Sequence, residues 1–282
     1  MIMIKQVRFF LLLIVGLCVP LSGYTAPKSD LLIQWQESNE TNTTVIDHSQ
    51  WQAVLDKYLK THDSNINRVD YKALQADGAD QLNDYLDSLF DIDPREYNKK
   101  EQFAYWVNLY NAATAALIIE NYPVESITKI KDSILAFGPW DQQWLEIGDE
   151  VLSLNDVEHR ILRPIWKDNR IHYAVNCASL SCPNLSPLAF TSQNTETQLK
   201  NLANDYINHP RGVSVINDRL HVSSIYDWYK GDFGNNNQEL LEHFLQHADH
   251  DLKSQLLNLK NPSYKDDYDW QLNDLSQKLD KF

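Results

Sequence analysis

The chain has 282 residues, with 25 basic and 39 acidic side chains and a formal net charge of −14 at pH 7. This length is enough for one large domain with its own hydrophobic core. The negative charge argues against nucleic acid and anionic lipid surfaces as partners, because both repel an acidic protein. The eight glycines form neither a phosphate-binding loop nor a Gly-x-Ser-x-Gly elbow, which disfavours P-loop proteins and α/β serine hydrolases.

The N-terminal segment has the pattern of a secretory signal peptide. Lys5 and Arg8 precede an apolar run over residues 9–19, and small residues follow as far as Ala26. The run is short for a membrane span. We therefore expect residues 1–26 to be removed and the mature protein to be periplasmic or secreted, with no stable membrane span. The alternative is an uncleaved anchor.

The mature chain begins with a polar segment over residues 27–46, which composition predicts to be a linker or a flexible arm. Residues 47–282 are then expected to form a single globular domain. A helix is predicted over 48–61, because apolar residues recur there with helical spacing. The residues of this stripe are Trp51, Val54, Leu55, Tyr58 and Leu59.

The most apolar predicted helix of the mature chain covers residues 98–121. Since it is apolar on nearly all sides, it should lie at the centre of the domain. Asn108 and Asn111 interrupt it and share one face. A buried amide without hydrogen-bond partners costs about 1–3 kcal/mol, so both side chains must be bonded.

Turn residues predict two β-hairpins, one within 146–153 and one around Asn217, and residues 264–273 resemble a closing strand. The fold class is therefore α+β. We expect a helix-rich single domain in which the long buried helix packs on a small, mainly antiparallel sheet.

A helix over 154–166 is predicted to begin with a capping box formed by Ser153 and Asp156. It carries two charged residues, Glu158 and Arg163, which interrupt an otherwise apolar element.

The stretch 168–183 holds both cysteines of the mature chain, Cys177 and Cys182. We expect a turn, then an apolar run of strand type, then a loop of small residues that ends at Pro183. His172 stands at the start of the run. If 172–177 form one strand, His172 and Cys177 point to opposite faces, and only a bend would bring them together.

Seven short segments of the chain form an ordered set of motifs. They are 103–112, 156–163, 168–177, 181–183, the pairs 228–229 and 232–233, and 268–270. Together they resemble the bacterial and plant family called domain of unknown function 547, over about residues 48–273. The resemblance implies a shared architecture and little chemistry. The family pattern has Asp-Pro-Arg before the histidine, whereas this chain has Asp168-Asn169-Arg170, and Asn holds a turn nearly as well as Pro.

The first functional hypothesis is a cysteine–histidine enzyme that acts by acyl transfer or hydrolysis on an envelope amide or ester. Cys177 would be the nucleophile, His172 would move the proton, and Glu158 would orient the imidazole. The fold is distantly analogous to papain and transglutaminase. In that group the nucleophile opens the central helix, but the matching region here offers Asn108 and no cysteine.

The competing hypothesis is a non-catalytic periplasmic binding or structural protein. Cys177 and Cys182 are an even pair in an exported chain, which favours a disulfide, and a loop this short would gain about 2 kcal/mol from it. A polar pocket would then bind a small molecule or a peptide, without a cofactor. Its candidate binding residues are Asn108, Asn111, Arg163, Arg170, Asn176 and Ser181. These polar groups could instead form a satisfied buried network that fixes the fold.

A third hypothesis concerns His243, His247 and His250, which are spaced i, i+4 and i+7. On one continuous helix these side chains share a face and could bind zinc, although such a pattern more often marks a solvated face. We therefore expect no metal ligands.

Overall fold

In the computed structural model, residues 27–131, 133 and 136–277 are described. The predicted signal peptide, residues 1–26, lies outside them. Within the described ranges, no helix has both the length and the apolar character needed to span a bilayer.

Helices dominate the described part of the chain. The α-helices are α1 (Ser49–Tyr58), α2 (Tyr71–Asp77), α3 (Ala79–Phe90), α4 (Lys99–Glu120), α5 (Arg163–Trp166), α6 (Ile171–Ala174), α7 (Thr195–Ile207), α8 (Ile225–Trp228), α9 (Lys230–Phe233), α10 (Asn237–His247) and α11 (His250–Leu257). A π-helix, Asp156–Leu162, precedes α5 directly.

The strands form three small sheets. They are β1 (Leu59–Thr61), β2 (Asn67–Val69), β3 (Leu145–Ile147), β4 (Glu150–Leu152), β5 (Val213–Ile216), β6 (Arg219–Ser223) and β7 (Tyr264–Asp267). The pairs β1–β2, β3–β4 and β5–β6 are antiparallel, while β7 runs parallel to β6. Both predicted hairpins are present, and the helix-rich α+β class is confirmed.

Helix α4 is the centre of the domain, as predicted. Asn98 caps it by accepting hydrogen bonds from the backbone N–H groups of Lys100 and Glu101. Most of its 22 residues are buried, and its main neighbours are α2, α3 and the π-helix. The principal packing of this helix is therefore against other helices, although we expected it to pack on a sheet.

Two apolar side chains of the segment 27–46, which composition predicts to be a linker or a flexible arm, pack against the domain. Trp35 is 2% exposed and Ile46 is 3% exposed. The Trp35 ring meets Trp106 of α4 edge to face, with 5.2 Å between centroids. Composition concealed this packing because a single large aromatic ring, rather than a run of apolar residues, anchors the segment.

The predicted closing strand ends early, at Asp267, and the chain continues as an irregular segment over 268–277. This segment crosses the cysteine loop. The backbone N–H of Leu180 donates to the carbonyl of Gln271, and Ser179 forms a β-bridge with Leu272. The C-terminal segment thereby brings residues such as Tyr268 next to the cysteines.

Candidate functional site

The π-helix supplies the first side chains of the site. The predicted capping box begins it, since the Asp156 carboxylate accepts from the Ser153 N–H at 2.9 Å and the Ser153 Oγ accepts from the Asp156 N–H at 3.1 Å. The wider π turn follows at once and carries Glu158 and His159, which are both buried. Helical turns of this kind are frequent at functional sites.

His172 lies on the short helix α6 and not on a strand, so the strand predicted for this run is wrong. The turn before it is closed by Asp168, whose carboxylate accepts from the Arg170 N–H at 2.9 Å. Helical geometry lasts only until Ala174, and Val175 is extended. The opposite-face argument therefore does not hold, and His172 and Cys177 line the same cavity.

Both ring nitrogens of His172 face carboxylates. Its Nε2 lies 2.7 Å from Asp232 Oδ2, and its Nδ1 lies 3.5 Å from Glu158 Oε1. Arg163 Nε also donates to Asp232 Oδ2, at 2.6 Å. Two acidic and two basic groups thus form one buried charge network.

The network sets the protonation of its members. Burial acts to lower the pKa of His172, but its contacts with Asp232 and Glu158 outweigh burial and raise it. Burial likewise acts to raise the pKa of Glu158, yet His159, His172 and Arg163 lower it to about 2. The arrangement therefore favours an imidazolium between two carboxylates. With both nitrogens engaged in this way, His172 has none directed at Cys177.

His159 has the opposite character. Burial lowers its pKa to about 4, so the ring is neutral near pH 7. Arg163 Nη1 lies 3.2 Å from His159 Nδ1. Because a guanidinium can only donate, Nδ1 is the acceptor and the ring proton lies on Nε2. The site therefore holds one neutral imidazole and one that favours the charged form.

Tyr229 and Asp232 complete the network, and our sequence reasoning assigned a role to neither. The ring of Tyr229 stacks on His172 with 4.2 Å between centroids, and the Arg163 guanidinium lies 5.0 Å from the centre of the Tyr229 ring. Both residues belong to the late motifs 228–229 and 232–233. These motifs were the sequence signal for both residues, but a motif does not show which side chain Asp232 contacts.

Cys177 and Cys182 are both free, with 2.9 Å between their sulfur atoms. The disulfide that the export context predicts is not formed in this structure. The Cys177 sulfur lies 3.1 Å from the Tyr268 hydroxyl and 3.4 Å from the Ser179 hydroxyl. The Cys177 N–H donates to the Cys182 sulfur at 3.0 Å.

The two thiols differ in acidity. Burial acts to raise the pKa of Cys177, but hydrogen bonds with Cys182, Ser179 and Tyr268 hold it below its ordinary value. Burial and the neighbouring Cys177 raise the pKa of Cys182 well above the usual range. Cys177 is therefore the more acidic thiol of the pair.

One cavity joins the charge network to the cysteines. The space between its lining atoms, including the open mouth, is about 460 Å³. Its polar wall holds Glu158, His159, His172, Cys177 and Cys182. Its aromatic wall holds Tyr110, Trp140, Trp228, Tyr229, Tyr268 and Trp270. All three residues predicted to be catalytic therefore face one space.

Residues 94–207 match the model of a family described as "Protein of unknown function, DUF547". This part of the chain is therefore similar to the family. No curated protein and no solved structure matches the chain significantly. The residues matched to DUF547 include Glu158, His172 and both cysteines, whereas Asp232 and Tyr268 lie beyond them. The resemblance seen in the motifs is thus confirmed for the central part of the chain.

The asparagines of α4 bond to backbone groups and not to the cavity. Asn108 donates to the carbonyl of Phe190 and accepts from the N–H of the same residue. Asn111 donates to the carbonyl of Ala174 and accepts from the N–H of Asn176. Asn111 therefore fixes the point where α6 ends. A ligand-binding role for these two amides stays a prediction that their geometry does not favour.

Asn176 and Ser181 also hold the cysteine loop in place. The Asn176 amide donates to the carbonyl of Pro183 and accepts from the N–H of Ala178. The Ser181 hydroxyl accepts from the N–H of Asp269. Since each polar side chain meets backbone, their function is to shape the loop that presents Cys177.

The two candidate arginines are separated. Arg163 belongs to the charge network, but Arg170 bonds to Asp168 at 2.7 Å and to Glu196 at 2.6 Å. Neither arginine lines the cavity, but Arg163 contacts His159, which does. The structure therefore brings only one of them to the site.

The three histidines considered for zinc do not share one helix. His243 and His247 lie on α10, whereas His250 begins α11. His243 Nε2 bonds to the Tyr173 hydroxyl at 2.7 Å, and the side chain of His250 is 96% exposed. The spacing argument fails because Ala248 and Asp249 interrupt the helix. Among the described residues, no group of three His, Cys, Asp or Glu side chains is arranged to hold a metal.

Proposed function

We propose that this chain is an exported enzyme in which Cys177 attacks the carbonyl carbon of an amide or ester in the cell envelope. The observation that carries the proposal is the environment of the Cys177 sulfur. It lies in a cavity, it meets the hydroxyls of Tyr268 and Ser179, and its pKa is held below the ordinary value. A thiol with a lowered pKa ionises more readily, and the thiolate is the nucleophilic form.

The reaction would follow the acyl-enzyme route. The Cys177 sulfur forms a bond to the carbonyl carbon, and the leaving oxygen or nitrogen departs with the bonding electrons. The Tyr268 hydroxyl, whose pKa is raised well above its ordinary value by burial, stays protonated and can donate to the leaving group. Water, or another acceptor, then cleaves the thioester.

The structure changes the roles that we expected of the histidines. Because both nitrogens of His172 face carboxylates, we assign it and Glu158 as positioning residues that fix one wall of the cavity. His159 is the neutral imidazole of that wall. Its Nδ1 accepts from Arg163 and its Nε2 carries the ring proton, so we assign His159 as a further positioning residue of that wall.

The test is covalent labelling of the purified, reduced protein by two model substrates, p-nitrophenyl acetate and an N-acetylaminoacyl p-nitroanilide. We expect intact-mass spectrometry to detect one acetyl or acyl group, and peptide mapping to place it on Cys177. The substitution Cys177→Ala should abolish the adduct.

A matched control is His250→Gln, which alters an exposed ring and should leave labelling at the wild-type level. The proposal is wrong if neither substrate labels Cys177, or if the Ala variant is labelled to the same extent as the wild type. The export part is tested separately, by N-terminal sequencing of protein recovered from the producing cells. A mature chain that still begins at Met1 would contradict it.

A non-catalytic binding protein remains the second candidate, and one observation favours it. The charge network satisfies itself internally, as expected for a group that serves the fold. In that case Cys177 would be unreactive toward both substrates. Protein isolated from its own compartment under alkylation would then contain a closed Cys177–Cys182 bridge.

A further inference from the structure

The cysteine pair offers a second chemistry, because acyl transfer needs one sulfur and the site holds two. Both cysteines line the cavity, but Cys182 is only 3% exposed and is the less accessible of the two. Its sulfur nevertheless lies 2.9 Å from that of Cys177, which is half-buried at the cavity. The arrangement pairs an accessible sulfur with a protected one.

We propose that this pair reduces small hydroperoxides, with Cys177 as the residue that is oxidised and Cys182 as the residue that resolves the product. Reactive redox cysteines combine thiolate character, access to solvent and a neighbouring resolving cysteine. Cys177 meets the first two conditions and Cys182 supplies the third. This inference is independent of the acyl-transfer proposal, although both use Cys177.

The first step transfers one oxygen atom. The Cys177 thiolate attacks the terminal oxygen of ROOH, so that an S–O bond forms and the O–O bond breaks. The electron pair of the O–O bond leaves on RO⁻, which takes a proton and departs as ROH. Tyr268 and Ser179 are placed to supply that proton, because their hydroxyls lie 2.8 Å from each other and both contact the attacking sulfur.

The second step closes the disulfide. The Cys182 sulfur attacks the sulfur of the Cys177 sulfenic acid, an S–S bond forms, and the hydroxyl leaves as water with the proton of Cys182. The sulfur atoms need to approach from 2.9 Å to the length of an S–S bond, about 2.05 Å. An exogenous dithiol then reduces the bridge and restores both thiols.

The shape of the site limits the oxidant to a small molecule. Cys177 is reached through a cavity with Trp140, Trp228 and Trp270 in its wall. These rings contact one another, since Trp228 stacks on Trp270 at 5.5 Å and Trp140 meets Trp270 at 5.6 Å. We therefore expect hydrogen peroxide and short alkyl hydroperoxides to reach the sulfur more readily than the disulfide of a folded protein.

The experiment mixes the reduced protein with hydrogen peroxide or tert-butyl hydroperoxide and follows its intact mass over time. We expect a loss of about 2 Da, equal to two hydrogen atoms, and a peptide map with Cys177 linked to Cys182. The reaction should be on the order of 100-fold faster than that of free cysteine at the same pH, since general acids assist the leaving group. With dithiothreitol present, the protein should consume several equivalents of peroxide.

Two variants separate the roles of the sulfurs. In Cys182→Ser the sulfenic acid on Cys177 should persist and be trapped by dimedone, and Cys177→Ser should show no such adduct. In Tyr268→Phe the first step should slow while the disulfide still forms. The wild-type mass measurement needs no variant, so the test survives if a substitution fails to fold.

Several outcomes would overturn the inference. Oxidation of Cys177 no faster than that of free cysteine is one, and accumulation of sulfinic acid in place of the disulfide is another. Failure to turn over with dithiothreitol is a third. None of these outcomes affects the acyl-transfer proposal, because that proposal is tested separately, by detection of an acyl group on Cys177.

Discussion

His172 Nε2 lies 2.7 Å from Asp232 Oδ2, across 60 residues of sequence. The side chain of His172 is 2% exposed and that of Asp232 is 28% exposed, so the contact is shielded from water on the histidine side only, whereas Glu158 is buried. A buried charge contributes to stability only while its partners are present. The pair therefore links the fold of the C-terminal half of the chain to the geometry of the cavity.

We expect His172→Gln to lower the free energy of unfolding by about 3–5 kcal/mol, because it leaves two carboxylates without their shared cation. Urea unfolding at pH 7 measures the change. The control His250→Gln alters a side chain that is 96% exposed and should change stability by about 0.5 kcal/mol or less. A loss below about 1 kcal/mol for the His172 variant would show that the network is not a source of stability.

A double-mutant cycle tests the contact itself. The variants are His172→Gln, Asp232→Asn and the combination of both. We expect a coupling energy of about 1–3 kcal/mol, since the two groups share a direct hydrogen bond. Additive effects within about 0.5 kcal/mol would mean that the two residues do not interact in solution.

The lowered pKa of Glu158 predicts how the free energy of unfolding changes in acid. Its pKa falls from 4.5 to about 2 on folding, so its contribution is complete above the unfolded value and is lost as pH falls from about 4.5 to about 2. A tenfold change in the acid dissociation constant corresponds to about 1.4 kcal/mol of stability. The stability gap between the wild type and Glu158→Gln should therefore narrow over that pH range.

Unfolding in urea at several pH values between 7 and 3 measures this gap. Glu242→Gln is the control, because Glu242 lies exposed on α10, and its gap to the wild type should stay small at every pH. If the difference in free energy of unfolding between the wild type and Glu158→Gln stays constant over this pH range, the pKa of Glu158 is not lowered.

Asn111→Ala should destabilise the chain by about 2–4 kcal/mol. The substitution leaves the carbonyl of Ala174 and the N–H of Asn176 without their partner, and each buried orphan costs about 1–3 kcal/mol. Asn83→Ala is the matched control, because Asn83 is an exposed residue of helix α3. Thermal and urea unfolding both report the difference. If Asn111→Ala and Asn83→Ala are equally stable, Asn111 does not stabilise the chain between Ala174 and Asn176.

Trp35→Ala tests whether the segment 27–46 is part of the domain. Removing a ring that is 2% exposed should cost about 3–5 kcal/mol. Ile33→Ala, in the same short turn, removes a side chain that is 66% exposed and should cost about 0.5 kcal/mol or less. If both variants unfold at the wild-type urea concentration, the segment is not anchored.

Local patterns predicted the elements that depend on neighbours in sequence. Helix α4 was visible from its apolar residues and its cap, and the capping box of Ser153 and Asp156 was visible from spacing. The hairpin around Asn217 followed from turn chemistry. In each case the deciding interactions span four residues or a tight turn, so the sequence contains them directly.

Tertiary contacts decided the rest. The run from Ile171 to Ala174 has the composition of a strand, yet it joins none of the sheets in the described part of the chain. Asn111 instead accepts the N–H of Asn176, just after the run. Periodicity cannot distinguish a short buried helix from a short buried strand. The strand prediction failed there for that reason.

The sequence by itself determined the acidic character, the α+β class, the central helix and the stretch that contains His172, Cys177 and Cys182. Only the tertiary structure placed Asp232 against His172 and Tyr268 against Cys177, at separations of 60 and 91 residues. Such pairings are set by how helices and loops pack around a shared core, and no local propensity encodes them. The raised pKa of His172 follows first from its distant partner Asp232, whereas the lowered pKa of Cys177 follows from Cys182 and Ser179 in its own loop and then from Tyr268.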